Sequence, residues 1–117
     1  MLLEQKKVVR IIAELNMYFL SLGADRIDSS VVKDGSHGKI RFRANYNPKN
    51  EDQLQDLEKC LNQQKNDGIE EIYWGLAGSG NFNGSDQLLL VGTMIDKAEV
   101  KFEEGFVELT MYKELDG

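Results

Sequence analysis

The sequence predicts an α+β fold, a two-layer sandwich in which a mostly antiparallel sheet of about four strands carries three to four helices on one face. Two observations predict it. Apolar residues recur at helical spacing in several segments, and four shorter segments alternate apolar with polar residues. The 117 residues, 41% of them hydrophobic, fall in the size range of one globular domain with a substantial core. We therefore expect residues 1–117 to form a single domain.

The first helix is predicted over residues 3–22, because one side of that segment is apolar at helical spacing. The residues on this side are Val8, Ile12, Leu15, Phe19 and Leu22. Gly23 is expected to end the helix in the left-handed conformation. Val9, Ile11 and Tyr18 widen the apolar surface beyond one stripe. We therefore expect burial on more than one side, either beneath the sheet and a second helix or in a homodimer contact, with Tyr18 a candidate contact residue.

Residues 26–32 and 39–46 are predicted to be two strands of a hairpin, joined by the glycine-containing residues 33–38 as a longer loop. The second strand alternates apolar with mostly basic residues. Its two faces are Ile40, Phe42, Ala44 and Tyr46 on one side, and Lys39, Arg41, Arg43 and Asn45 on the other. We expect the basic side to be a solvated face beside the acidic residues Glu99, Glu103 and Glu108. The alternative is an anion-binding patch built from Arg41 and Arg43.

A second helix is predicted from Asn50 onward. Pro48 disfavours helical backbone at Asn47, and Asn50 followed by Gln53 has the form of a capping box. The narrow apolar stripe of this helix is Leu54, Leu57 and Leu61. A short helix is predicted over residues 69–76, in which Trp74 is expected to be a packing anchor, with a ligand platform as the alternative.

The last part of the chain predicts a glycine-rich loop, a helix and a second hairpin. Residues 78–85 form the loop, and Phe82 near its tip is a candidate anchor for a protein partner. Ser85 or Asp86 caps the following helix. The apolar stripe of that helix is Leu88, Val91, Ile95 and Ala98. Strand alternation follows at Val100 and Phe102, and resumes at Val107, Leu109 and Met111 after a turn at Glu104–Gly105.

The composition lowers the expectation of several function classes. With 14 basic and 20 acidic residues, the net charge of −6 repels nucleic acid and anionic lipid, so neither is predicted as a partner. We find no apolar run of the length that spans a bilayer, and residues 1–7 do not resemble a secretion signal, so a cytoplasmic location is predicted. Cys60 is the only cysteine, which excludes an internal disulfide. Its position beside Leu57 and Leu61 indicates helix packing.

Two local motifs could carry chemistry. Gly78, Gly80 and Gly84 precede a helix, and a glycine-rich loop at a helix N-terminus can bind phosphate. A phosphate-binding P-loop, however, places a lysine and a hydroxyl residue directly after its last glycine, whereas Ser85, Asp86 and Gln87 follow here. We therefore expect a plain flexible connection. The only histidine, His37, lies in a predicted turn, so we expect a loop residue. No complete set of nucleophile, base and charge stabiliser is present in the sequence.

The order of helix, two strands, helix, glycine-rich loop, helix and two strands resembles the histidine-kinase-like ATPase fold, also called the GHKL or Bergerat fold. Two segments support this resemblance. Residues 87–96, followed by a hairpin, are similar to the family segment after the lid, where a Gly-Leu-Gly-Leu box opens a helix. Glu14-Leu15-Asn16 resembles the N box, whose asparagine holds magnesium against the nucleotide phosphates. The resemblance therefore implies that Asn16, together with Gly78, Gly80 and Gly84, would bind ATP and magnesium.

The sequence departs from this family at the nucleotide site. The family places an aspartate and glycines at the end of the second strand to hold adenine, and this chain has residues 45–48, Asn-Tyr-Asn-Pro, instead. Asp86-Gln87-Leu88-Leu89 replaces the Gly-Leu-Gly-Leu box. We also expect no preceding dimerisation or phosphoacceptor domain, because the first helix begins the chain. The resemblance thus implies a shell whose nucleotide site is lost.

Three functional hypotheses follow. The first is a non-catalytic regulatory or protein-interaction domain that needs no cofactor and uses Phe82, Trp74 and Tyr18 for contact. The second is a working ATP-binding protein, such as an anti-sigma-type serine kinase or a sensor kinase fragment, with Asn16 orienting magnesium. The third is a small-molecule binding module whose pocket is lined by aromatic side chains. Those side chains are Tyr46, Tyr73, Trp74 and Phe82.

Overall fold

The described strands form one antiparallel sheet in the order β1-β2-β4-β3. The computed structural model of the chain describes residues 2–62 and 84–115. The strands are β1 (Ile27–Asp34), β2 (His37–Asn45), β3 (Lys97–Glu103) and β4 (Phe106–Glu114). Each hairpin contributes two neighbouring strands, and β2 pairs with β4 in the centre. The predicted pair of hairpins is thus confirmed.

One face of the sheet is buried and the other is open. On β2, Ile40, Phe42 and Ala44 are buried, and their partners on β4 are buried as well. Those partners are Met111, Leu109 and Val107. The alternate residues of the same strands are exposed or half-buried. This period-two pattern is what the sequence predicted for a sheet covered on one side.

The helices cover the buried face. They are α1 (Leu2–Ser21), a 3₁₀ helix (Pro48–Leu54), α2 (Leu57–Leu61) and α3 (Gly84–Met94). Helix α1 packs on β2 and on α3, while α2 packs on α3 and on β3. Their inward side chains and those of the sheet form one core. The predicted two-layer α+β sandwich is therefore confirmed.

Helix α3 ends earlier than the sequence predicted. The predicted stripe continued through Ile95 to Ala98, but Ala98 belongs to β3, where it pairs with Met111. Asp96 makes the bend between the two elements. Its backbone N–H donates to the Tyr112 carbonyl oxygen at 2.8 Å, and its Oδ2 accepts from the Glu114 N–H at 2.7 Å. These bonds to β4 end the helix and begin the strand.

The predicted second helix is divided and begins before Asn50. Its first part is the 3₁₀ helix, and Asn47 caps it by accepting from the Lys49 N–H at 3.0 Å. Asn47 has extended backbone, as the following Pro48 requires. The proposed capping residue Asn50 instead donates its amide to the Leu22 carbonyl oxygen at 2.8 Å. Asn50 therefore joins this segment to the end of α1.

The first hairpin has a tight turn, and the predicted longer loop is wrong. Asp34 pairs with His37, so Gly35 and Ser36 alone make the turn. Gly35 has φ +61° and Ser36 does not have a positive φ, and a positive φ at the first central residue alone is the type II′ geometry that suits two-residue hairpins. As predicted, Gly23 follows α1 with φ +92°. The predicted short helix over residues 69–76 and most of the glycine-rich loop lie outside the described residues.

Candidate functional site

Helix α1 is apolar on two opposite sides. The inner side is buried in the core and consists of Ile11, Leu15, Tyr18, Phe19 and Leu22. The opposite side, which we call the α1 outer face, consists of Val9, Ala13, Met17 and Leu20. Val9 is 68% exposed, and Met17 and Leu20 are each 59% exposed. Spacings of three and four residues place them in one stripe. An exposed apolar stripe on a helix that is already anchored in the core is a candidate docking surface.

Tyr18 is part of the core. Only 5% of the residue is exposed, and its ring packs edge-on against Phe19 with 5.4 Å between centroids. Its hydroxyl lies 3.4 Å from the Gln53 carbonyl oxygen, to which it donates. Burial raises the pKa of the Tyr18 hydroxyl, and the nearby Cys60 thiol adds to the increase. The predicted contact residue therefore stabilises the interior, and its neighbours Met17 and Leu20 reach the surface.

A buried polar cluster connects α1 with α3. The Glu14 carboxylate is buried, and its Oε1 lies 3.0 Å from Nη2 of Arg10 one turn earlier. Its Oε2 accepts from the Gln87 amide at 2.9 Å. A buried charge is tolerated only when such donors replace its water. This cluster therefore fixes how the first turn of α3 sits against α1.

Asn16 lies on the other flank of α1 from this cluster. It follows Glu14 by two residues, which rotates it by about 200° around the helix axis. Its Oδ1 is buried and has no hydrogen-bond partner in the described part of the chain. Magnesium binds oxygen ligands, and the side-chain amide oxygen of Asn16 is one such atom. Gly84 begins α3, three residues before the Gln87 that bonds to Glu14, while Gly78 and Gly80 lie outside the described residues.

The residues at the end of β2, the position at which the resembled family binds adenine, make hydrogen bonds to neighbouring parts of this chain. The Oδ1 of Asn45 accepts from the backbone N–H groups of Asp25 at 2.9 Å and Arg26 at 3.0 Å, and its amide donates to the Asp25 carboxylate. Tyr46 is buried and donates to Glu51 at 3.0 Å. Asn47 caps the 3₁₀ helix. These residues therefore hold the end of β2 to the neighbouring segments of the chain.

The open face of the sheet carries charges of both signs. One row across the strands is Asp28, Arg43, Glu108 and Lys101, which alternates acidic and basic groups. The Arg43 guanidinium lies 4.0 Å from the centre of the Phe106 ring. A shallow depression of about 290 Å³ beside Arg41 and Arg43 is also bordered by the two carboxylates of this row. This arrangement agrees with the predicted solvated face.

The remaining candidate groups are dispersed. His37 begins β2, is exposed, and lies opposite Asp34 and Glu114 in the sheet. Cys60 is half-buried against the core, as predicted. Within residues 2–62 and 84–115, no group of three or more histidine, cysteine or acidic residues is placed to hold a metal ion. Trp74 and Phe82 lie outside the described residues.

Comparison with protein-family models, curated proteins and solved structures finds no match for this chain. Among the helices of the described residues, none is long and apolar enough to cross a membrane. The sequence pattern placed Val9 on the widened apolar surface of α1 but did not predict that Met17 and Leu20 are exposed apolar residues. Spacings of three and four residues from Val9 through Ala13 to Met17 and Leu20 could have predicted that these side chains share one helix face.

Proposed function

We propose that this chain is a non-catalytic regulatory or protein-interaction domain of the cytoplasm, with a histidine-kinase-like ATPase fold whose nucleotide site is degenerate. The observation that carries this proposal is the α1 outer face. Its exposed residues Val9, Met17 and Leu20 lie on a helix that is anchored by its buried side and by the hydrogen bond from Gln87 of α3 to Glu14. A rigid exposed apolar stripe loses little conformational entropy when a partner covers it.

Two features of the fold support the family part of the proposal. The element order on which the resemblance rests, a helix before each hairpin with a further helical segment between them, recurs in the described residues. The two hairpins also share one sheet with helices on a single face. Separate sheets would have removed the comparison with this family.

The end of β2 supports the degenerate nucleotide site. Adenine recognition needs hydrogen-bonding groups that face a cleft and space for the base. Asn45, Tyr46 and Asn47 instead bond to neighbouring parts of the fold. Replacing these bonds with bonds to a ligand would remove contacts that hold the end of β2, at about 0.5–1.5 kcal/mol for a typical hydrogen bond.

A second candidate function is ATP binding with magnesium, as in the resembled family. One observation favours it: the Oδ1 of Asn16 is buried and has no hydrogen-bond partner among the described residues. Under this alternative Asn16 would contribute a ligand oxygen and Gly84 would belong to the phosphate-binding loop. The third candidate, a small-molecule pocket, is supported less, because the Tyr46 hydroxyl is already bonded to Glu51.

The first test places a photo-crosslinking phenylalanine analogue at Leu20 in the native host cell. We expect a crosslinked adduct of defined mass, because Leu20 lies at the exposed end of the α1 outer face. The matched control places the same analogue at Phe102. This residue is 48% exposed but lies on the edge strand β3, away from the α1 outer face. Adducts at Leu20 that are no more specific than those at Phe102 would contradict the interaction surface.

The second test titrates ATP and magnesium into ¹⁵N-labelled protein and follows the amide spectrum. We expect no saturable shift up to about 1 mM nucleotide, which corresponds to less than about 4 kcal/mol of binding free energy. Saturable micromolar binding that moves the Asn16 side-chain amide and disappears in Asn16→Ala would overturn the degenerate site. It would support the ATP-binding alternative.

A further inference from the structure

Strand β1 is an edge strand with an open outer side. In the described part of the chain it pairs with β2 alone. Its sequence, IDSSVVKD, contains no proline, and its residues after Ile27 are exposed. Val31 is 45% exposed and Val32 is 58% exposed. Long exposed edges with apolar side chains tend to pair with another strand unless charges block them. Here charges occupy the two ends, and residues 29–32 are uncharged.

The hydrogen bonds of β1 show which backbone groups face outward. The Asn45 N–H donates to the Arg26 carbonyl oxygen at 3.2 Å, which places Arg26 in a hydrogen-bonded pair with β2. Antiparallel strands alternate bonded and non-bonded pairs, so the even-numbered residues of β1 bond to β2. The N–H and C=O groups of the odd-numbered residues therefore point away from the sheet. These residues are Ile27, Ser29, Val31 and Lys33.

We propose that β1 pairs in antiparallel orientation with β1 of a second copy of this chain, with Ser30 on the two-fold axis. The two four-stranded sheets then form one continuous sheet of eight strands. In this register Ser29 lies opposite Val31 of the partner subunit, and Arg26 lies opposite Asp34 of the partner subunit. All four outward-facing residues of each strand form hydrogen-bonded pairs.

The opposed charges and the number of paired residues favour this register over the adjacent registers of the two β1 strands. A two-fold axis perpendicular to the sheet keeps both buried faces on one side. Placing Ser30 or Val31 on this axis pairs the largest number of β1 residues. With Val31 there, Asp28 would oppose Asp34 of the partner subunit, and directly opposed like charges are destabilising. With Ser29 there, only residues 27–31 would pair. With Ser30, residues 27–33 pair and Arg26 meets opposite charge.

Pairing through β1 is independent of docking through the α1 outer face. Helix α1 lies over β2, so its outer face stays accessible when β1 is paired. The Leu20 crosslinking and the ATP titration do not involve β1, so their failure would leave this inference standing. A single strand pair buries less than the roughly 800 Å² per partner of stable interfaces, so we expect a dissociation constant in the micromolar range.

The register can be tested with engineered cysteines in a Cys60→Ser background, which removes the only native thiol. Ser30 would face its own copy in a non-hydrogen-bonded pair, where Cα atoms are about 4.5 Å apart and a disulfide fits. We expect Ser30→Cys to form covalent dimers under mild oxidation. Val32→Cys is the matched control, because the two copies of Val32 would lie four positions apart, about 13 Å. Equal or faster dimer formation by Val32→Cys, or none by either variant, would overturn the proposal.

Sedimentation equilibrium supplies an independent measurement on the unmodified chain. We expect a monomer–dimer equilibrium between about 10 and 500 µM. Val31→Pro should shift it at least tenfold toward monomer, because proline removes an outward N–H without touching the bonds to β2. Val31→Thr keeps that N–H and should dimerise like the parent chain. A monomer at every concentration, or a dimer that Val31→Pro leaves unchanged, contradicts pairing through β1.

Discussion

Replacing Phe42 with alanine is expected to lower the free energy of unfolding by about 3–5 kcal/mol. Phe42 is fully buried on β2, opposite Leu109 in the central pair of strands. Its ring lies 5.5 Å from the ring of Phe19 on α1, so it joins the sheet to the helix layer. Alanine leaves a cavity between β2 and α1. Because the surrounding core is closely packed, neither element can move far enough to fill it.

Urea unfolding followed by circular dichroism measures this loss, and thermal unfolding should show a melting temperature lower by roughly 12–20 °C. Phe102→Ala is the matched control. Phe102 is the same residue type on the same side of the sheet, but it lies on the edge strand β3 and is 48% exposed. We expect its loss to be below about 1.5 kcal/mol. Equal losses in the two variants would contradict the described coverage of the sheet.

Replacing Gly92 with valine is expected to destabilise the protein by about 2–3 kcal/mol, although glycine is a poor helix former. A Cβ atom at Gly92 would lie 3.0 Å from the carbonyl oxygens of both Cys60 and Leu61. Helix α2 cannot easily retreat, because the Asn62 side chain bonds to both the N–H and the C=O of Ala98, each at 2.8 Å. Valine therefore pushes α3 away from a helix that is tied to the sheet.

The same denaturation measurements apply to a short series. Gly92→Ala adds only the Cβ, so its helix-propensity gain of about 1 kcal/mol should offset part of the clash. Ala13→Val on the half-buried outer side of α1 measures the cost of a β-branched residue in a helix without this contact. We expect Ala13→Val to cost less than about 1 kcal/mol. A Gly92→Val variant as stable as Ala13→Val would show that α2 and α3 are not in close contact.

The fold was predictable because its strongest signals are local. The alternation of Ile40, Phe42 and Ala44 with basic residues specifies both a strand and its buried side. Gly23 marks the end of α1, and its φ of +92° shows why glycine stands there. These features depend on a few neighbouring residues and need no knowledge of distant contacts.

The sequence predictions were wrong where contacts between residues far apart in the chain determine the secondary structure or the burial of a residue. Ala98 fits a helical stripe and a strand face equally well, and the bonds of Asp96 to β4 select the strand. Lys113 continues the buried side of β4, where a charged residue is not expected. Its Nζ donates to the Met94 carbonyl oxygen at 2.7 Å, at the C-terminus of α3. A cation there is favoured by the helix dipole, but only the folded chain brings the two residues together.

The candidate site was less predictable than the fold. The sequence indicated that α1 is apolar on more than one side, yet it could not tell which side faces the core. Tyr18 and Met17 are adjacent, and the structure buries one and exposes the other. Asn16 was chosen by resemblance. Its buried Oδ1, which has no hydrogen-bond partner within residues 2–62 and 84–115, gives that choice a physical reason to be tested.

The central pairing of β2 with β4 also determines the order of assembly. Each hairpin closes over a two-residue turn and can form within microseconds. Their junction, with Asn45 opposite Phe106, brings together ends separated by residues 46–105 and must overcome the loop-closure entropy of that whole segment. The kinetic barrier to reaching the native state is therefore expected at the junction between the hairpins, so substitutions there should slow folding more than equally destabilising ones within either hairpin.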